Sequence, residues 1–345
     1  MSIVIEGGRV PFLLRKLAAK GSADAAKHDG AALRIALVKN MPDAALEDTE
    51  LQFTELLGAA AEDTPVSLTL ASLPNLPRSA SGLEHLAKYY IGLDELLVER
   101  FDGMIVTGTE PKRPDLREEP YWPGVVALLQ WAEQNTTSTV LSCLAAHAGV
   151  MASDGISRTP FDDKKFGVFT HTRATRHALT EGLDDAIRIP HSRWNDVKAE
   201  ELRANGYEIL TESPKAGVDL FVKQRGNSLF VHFQGHPEYS ARTLLKEYRR
   251  DIKRFLRHER ETFPTQPHGY FDAGATTLLR EFQEIAEQDA REGALEQFPE
   301  AAVAAGIQNF WRESAVRIYG NWLKYLLQRK TVPATMSSMS PAVRA

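Results

Sequence analysis

The sequence predicts an α/β fold built on a doubly wound, mostly parallel sheet, and three observations predict it. Short β-branched or apolar runs alternate with stretches of helical periodicity through the middle of the chain. One of those runs ends in a glycine turn at Gly108, and another ends at Cys143 and leads at once into a helical pattern. Such alternation places helices on both faces of a parallel sheet and puts functional sites at the C-terminal ends of the strands.

A short N-terminal helix and a linker are expected over residues 1–32, with small and polar residues dominating 19–32. Residues 33–38 read as a first strand and 66–70 as a second, with an amphipathic helix around 50–57 between them. Residues 103–108 form a third strand. A helix over 124–134 precedes the β-branched run 136–142, which reads as a buried strand. Further strands are expected at 207–211, 219–223 and 229–233, and a helix begins near Ala241. From about 276 to 298 an acidic helical stretch carries Glu281, Glu284, Glu287, Asp289, Glu292 and Glu296, carboxylates that suit a solvated face. It belongs to an insertion near 276–306 and is followed by an amphipathic helix near 309–328. Residues 331–345, rich in Ser, Pro, Ala and Met without periodicity, are expected to be a disordered tail. Residues 33–330 are thus one α/β domain with added C-terminal helices.

Composition narrows the function. A net charge of −5 and a pI near 6.1 give no support for nucleic-acid or anionic-membrane partners. One cysteine excludes an internal disulfide framework and a cysteine-rich zinc site, and suits a reducing, cytoplasmic setting. No run approaches the length of a membrane span, and the N-terminus lacks the pattern of a signal peptide. Pairs such as His171 with His177, or His232 with His236, lack further ligands at metal-site spacing, so no metal is expected.

That cysteine is Cys143, at the junction between a strand and a helix. A helix N-terminus offers free N–H groups and the positive end of a dipole, which favour thiolate over thiol. Position alone leaves both a nucleophile and a buried structural thiol open. A nucleophilic thiol needs a base, and the base needs an orienting partner. The run Phe233-Gln234-Gly235-His236-Pro237-Glu238-Tyr239, between a strand and a helix, supplies both types in His236 and Glu238.

At this point the chain resembles a known family. Cys143 with His236-Pro237-Glu238-Tyr239 is similar to the homoserine O-acyltransferases, in particular the homoserine O-succinyltransferases. These are relatives of the class I glutamine amidotransferases, with a flavodoxin-like sheet. Phe101 to Gly108, Tyr121-Trp122, Gly167 to His171, Pro190 to Arg193, Glu247 to Asp251 and Asn321 to Leu323 match collinearly. The resemblance covers about 33–255 and resumes near 309–328.

It implies a two-step acyl transfer. Acyl-CoA, a co-substrate rather than a bound cofactor, would acylate Cys143 with His236 as base and Glu238 orienting it. The hydroxyl of L-homoserine would then take the acyl group, for methionine biosynthesis. The Leu144 N–H is the candidate oxyanion donor. By the family pattern, Lys164, Ser192 and Arg250 contact the amino-acid substrate, and a homodimer is expected. Each has a plainer reading. Lys164 sits among Asp162, Asp163 and Lys165 and could be solvated, Ser192 could start a turn, and Arg250 lies opposite its helix's apolar stripe, facing either cleft or water.

The family's acyl-specificity position falls on Lys112, whose cation would favour a succinyl over an acetyl group. Two departures are visible. Leu144-Ala145-Ala146-His147 replaces the family's Trp-Gly-Ala-Gln, adding a Cβ at the elbow and an ionisable ring in place of an amide. Asp43 follows Met41-Pro42 where the family carries lysine. A glutamine amidotransferase-like hydrolase, acylation of a related amino alcohol such as serine, and a non-catalytic binding protein remain as alternatives.

Overall fold

A computed structural model describes residues 3–5, 32–288 and 291–330. The expected tail over 331–345, and the N-terminal helix and linker apart from residues 3–5, lie outside the described residues. Ile3–Ile5, which the sequence reading did not assign to a strand, is β1. Its two isoleucines are buried while Val4 points outward, the alternation that half-burial of a β-branched run produces.

The expected strands follow as β2 (Leu33–Val38), β3 (Val66–Ala71), β4 (Gly103–Thr107) and β5 (Ser138–Ser142). The long β6 (Thr159–Arg173) and β7 (Ile187–Asp196) come next. They are followed by β8 (Glu208–Ile209), β9 (Thr211–Ser213), β10 (Gly217–Val218), β11 (Leu220–Arg225) and β12 (Ser228–Phe233). Among the described residues, eight strands form one sheet in the order β1-β3-β2-β4-β5-β12-β11-β8. All its pairings are parallel except those of β11, which runs antiparallel to both neighbours. The mostly parallel α/β class is therefore as expected.

Helices cover both faces. α1 (Leu46–Ala60) contributes Phe53, Leu56 and Leu57 to the cluster that holds Leu33, Ile35 and Leu37 of β2. On the opposite face, Ala36 and Val38 of β2 pack with Leu128, Leu129 and Ala132. Two short helices, α2 (Ala80–Tyr89) and α3 (Leu93–Val98), precede β4. The second face is covered by α4 (Trp122–Asn135) and α5 (Leu144–Asp154). Each fully buried Leu or Phe in these layers contributes about 1.5–3 kcal/mol.

Two features differ from the sequence reading. The strand expected over 207–211 is split between two sheets, because the chain leaves β8 and enters β9 within it. The second sheet, in the order β10-β9-β6-β7, is antiparallel. Its strands carry charged residues and a register shift between Pro160 and Lys165, which hide the two-residue alternation.

After α6 (Ala199–Ala204), α7 (Thr243–Leu256) buries Leu244, Leu245, Tyr248, Ile252 and Leu256. The acidic stretch forms α8 (Ala273–Gln288) and α9 (Glu300–Ala305), and packs Leu279, Phe282, Ala286 and Val303 on α7. Its Glu281, Glu284 and Glu287 are exposed, as a solvated face requires. The last helix, α10 (Arg312–Lys330), places Trp322 and Leu326 under the sheet, where the Trp322 indole N–H donates to Ser138 Oγ at 2.9 Å.

Candidate active site

β5 ends at Ser142 and α5 begins at Leu144, leaving Cys143 to make the turn with φ 54° and ψ −114°. A positive φ on a non-glycine residue costs about 1–3 kcal/mol and persists only where its surroundings impose it. Here the Cys143 N–H donates to Phe233 O at 2.7 Å, and its carbonyl accepts from Ala146 N–H at 2.9 Å. Across the turn, a Cβ on Gly108 would stand 2.6 Å from Leu144 Cβ and 3.0 Å from its nitrogen. The turn after β4 therefore runs directly against the first amide of α5. That N–H has no intrahelical acceptor and lies at the positive end of the helix. Ala145, the added methyl, is buried with Val106, Tyr121 and Leu141, so the core absorbs it.

β12 pairs with β5 so that Phe233 lies opposite Ser142. The segments leaving the two strands start side by side, and His236 hydrogen-bonds Cys143. Its Nδ1 is 2.8 Å from Glu238 Oε1, which leaves Nε2 for the sulfur. The Tyr239 ring stacks on the imidazole at 4.1 Å and 18°. Burial disfavours the charged ring, but the Cys143 sulfur and the Glu238 carboxylate outweigh it and raise His236 well above its usual value. The arrangement favours a charged imidazole beside the sulfur, a partner of the kind a nucleophilic thiol needs.

Lys164, Ser192 and Arg250, far apart in sequence, converge on Glu247 of α7. Ser192 Oγ donates to Glu247 Oε2 at 2.5 Å. Lys164 Nζ lies 3.4 Å from the same oxygen and 2.9 Å from Asp251 Oδ2, over the Phe166 ring at 4.0 Å. Its ammonium is therefore enclosed rather than solvated. Arg250 is about half exposed and reaches Glu247 at 3.4 Å and Asp251 at 3.0 Å, so it borders the cluster. The Tyr239 hydroxyl donates to Glu247 Oε1 at 2.5 Å, which joins this cluster to the ring stacked on His236. Burial would raise Glu247, but Lys164, Arg250 and the two hydroxyls pull it down to about 2.

Two other sequence-derived positions have local partners of their own. Lys112 is exposed, and its backbone N–H, with that of Arg113, donates to the buried carboxylate of Glu119. Asp43 does not stand in for the family's lysine. It turns to the N-terminus of α2, accepting from Ser79 N–H at 2.6 Å and Arg78 Nη1 at 3.1 Å. Nearby, Lys39 is fully buried 3.5 Å from Glu50, and burial lowers its pKa to about 8 despite that carboxylate.

Four residues with contacts here were not singled out from sequence. Glu247 and Tyr239 lay inside matched motifs, and their polarity beside Arg250 and Glu238 was the available signal. Gln234 is buried, and its Oε1 lies 2.8 Å from His147 Nε2, so the substituted ring is bonded rather than stray. Asp219 is buried too; its Oδ1 accepts Gly235 N–H at 2.7 Å, and burial raises its pKa to about 6.

Comparison with known proteins bears on the chemistry. A family model described as homoserine O-succinyltransferase matches residues 15–333. A homoserine O-succinyltransferase of Rhodopseudomonas palustris is 43% identical over 84% of this chain and 87% of its own. One of Bradyrhizobium japonicum is 39% identical over 94% of this chain and 99% of its own. Among solved structures, a glutamine amidotransferase of Methylobacillus flagellatus is similar at TM-score 0.47 and 13% identity, covering 86% of this chain and 95% of that one. The matched range takes in the elbow, the His236 loop and α7, and the chain spans 87% and 99% of these two relatives. The chain therefore belongs to the homoserine O-succinyltransferase family and is an acyltransferase.

Proposed function

We propose that the protein transfers a succinyl group from succinyl-CoA to the hydroxyl of L-homoserine through a thioester on Cys143, in methionine biosynthesis. The contact of Cys143 with His236, itself held by Glu238, carries this reading. The Cys143 thiolate attacks the succinyl carbonyl, and the oxyanion is met by the Leu144 N–H. Collapse expels CoA sulfur, which takes the proton of the His236 imidazolium, leaving a neutral ring. That ring removes the proton of the homoserine hydroxyl as its oxygen attacks the thioester. Cys143 leaves as thiolate, and the starting ion pair is restored with O-succinyl-homoserine released. The acyl group passes between thioesters at little cost and ends in a more stable ester.

Lys164, Ser192 and Arg250, gathered around Glu247, hold the amino-acid end of the acceptor, with Arg250 suited to its carboxylate. Lys112, exposed beside the turn after β4, pairs with the distal carboxylate of the succinyl group. The working unit is a cytoplasmic homodimer that takes acyl-CoA and L-homoserine and needs no bound cofactor. Intact-mass spectrometry after mixing with succinyl-, acetyl- and propionyl-CoA tests the reading, with Cys143→Ala as control. A succinyl mass gain that Cys143→Ala lacks, discharged by L-homoserine but not by serine, is expected. Faster acylation by acetyl-CoA, unchanged in ratio by Lys112→Ala, would overturn the donor assignment. No acylation of Cys143 by any of the three would overturn the thioester.

A further inference from the structure

We propose that His147 is a positioning residue for the Cys143–His236 pair, locking the helix that carries the nucleophile to the segment that carries the base. His147 lies one turn into α5, four residues after Cys143, and its ring is buried. Gln234 lies two residues before His236. The bond between them, 2.8 Å from His147 Nε2 to Gln234 Oε1, is therefore a cross-link close to both reacting groups.

The direction of that bond follows from its surroundings. Gln234 Nε2 donates to Val218 O at 2.8 Å, which fixes the amide's orientation. Its oxygen accepts from Val197 N–H at 3.0 Å and faces Arg193 Nη1 at 3.4 Å. An amide oxygen only accepts, so His147 donates through Nε2–H. Burial, reinforced by the Arg193 charge, lowers the ring's pKa to about 3 and keeps it neutral, so this tautomer persists at working pH.

Arg193 extends the clasp to the second sheet. It donates to Asn195 O at 2.7 Å, to Asp196 at 2.8 Å and to Ala216 O, and its Nε reaches His191 Nδ1 at 3.2 Å. The strand that carries Ser192 is thereby tied to the same amide. Besides the Cys143–His236 contact itself, the Cys143 N–H to Phe233 O bond ties the elbow to the end of β12. It constrains the backbone at Cys143 but does not set the tilt of α5 against the base. A displacement of about 1 Å between reacting groups costs on the order of 100-fold in rate, so a second pin matters.

The only cysteine in the chain permits a test that uses neither substrate. The rate of Cys143 alkylation by iodoacetamide is measured against pH for wild type, His147→Leu and His147→Gln, with circular dichroism and a thermal melt to verify folding. The groups facing the pair are Glu238 and Tyr239 on its own loop, Asp219 from the segment before β11 and His191 from β7; all stay unchanged. His147→Leu is expected to slow Cys143 alkylation at neutral pH by about tenfold, because the His236 imidazole no longer stands in reach of the sulfur. In the acyl-transfer assay it lowers kcat by about tenfold and leaves both KM values within about twofold. His147→Gln, whose amide N–H reaches the same oxygen, restores both. His147→Phe keeps the ring's bulk without the donor and replaces the leucine variant if that one fails to fold. A wild-type alkylation rate and kcat in the leucine or phenylalanine variant, or a glutamine variant as impaired as either, would overturn the role. The alkylation readout depends on the Cys143–His236 pair and not on the acyl donor, so it fails separately from the proposed reaction.

Discussion

Nδ1 of His236 and Oε1 of Glu238 lie 2.8 Å apart across Pro237, both side chains buried. The rigid proline sets a spacing at which a residue and its second neighbour meet, and the imidazole is left with Nε2 toward Cys143. Tyr239, stacked on the same ring, ties this loop to Glu247. One short segment thus fixes the imidazole, its tautomer and its link to α7.

Glu238→Gln keeps the size of the side chain and removes the charge that favours imidazolium. We expect kcat/KM to fall by about 100-fold or more, within the range of general acid–base contributions. The raised pKa of His236 contributes stability that is present below about pH 6.5 and lost as pH rises through the folded value. The variant's loss in chemical denaturation should therefore be larger at pH 6 than at alkaline pH. An equal loss at both would contradict the charge role.

Glu247, held down to about 2, gives the opposite sign. Its stabilisation is present above about pH 4.5 and lost as pH falls toward 2. Glu247→Gln should flatten the acid limb of a stability–pH curve, where the wild type loses on the order of 3 kcal/mol from this group. It should also raise KM for the amino-acid acceptor. A wild-type acid limb in the variant would show that the cluster does not hold this carboxylate.

Asp219 has a folded pKa of about 6, above the ordinary aspartate value, because it is buried; its Oδ2 has no hydrogen-bond partner among the described residues. A raised acid costs stability, and the cost appears as pH rises from about 4 through 6. Asp219→Asn keeps an acceptor for Gly235 N–H without the charge. Its thermal midpoint should exceed that of wild type at pH 8 and match it near pH 4. A variant less stable than wild type at pH 8 would count against this account.

Gly108→Ala would put a methyl 2.6 Å from Leu144 Cβ and 3.0 Å from its amide nitrogen, the proposed oxyanion donor. We expect kcat to drop by about tenfold or more with a stability change of about 1–3 kcal/mol. Kinetics and thermal melts together check it, and unchanged kcat would show that the turn can move away from the elbow.

Much of the site was legible in the chain because its parts are short and local. Cys143 reads as a turn because a β-branched run meets a small-residue helix. His236 and Glu238 are two residues apart, so their pairing needs little more than a turn. Lys164 reads as part of a charged cluster with Asp162 and Asp163, and sequence spacing cannot show that its ammonium meets Glu247 and Asp251 on α7. The second sheet was missed because charges and a register shift break the alternation of β6.

By itself the sequence determined the alternation of strands and helices, the elbow at Cys143 and the residue types around it. Those follow from periodicity and backbone preference, which act over a few residues. Only the tertiary structure decided that Lys164, Ser192, Tyr239 and Arg250 share one carboxylate, that Asp43 turns to α2, and that His147 bonds Gln234. Those contacts join segments brought together by sheet register and burial, where an enclosed polar group must find a partner or bear the cost of lacking one.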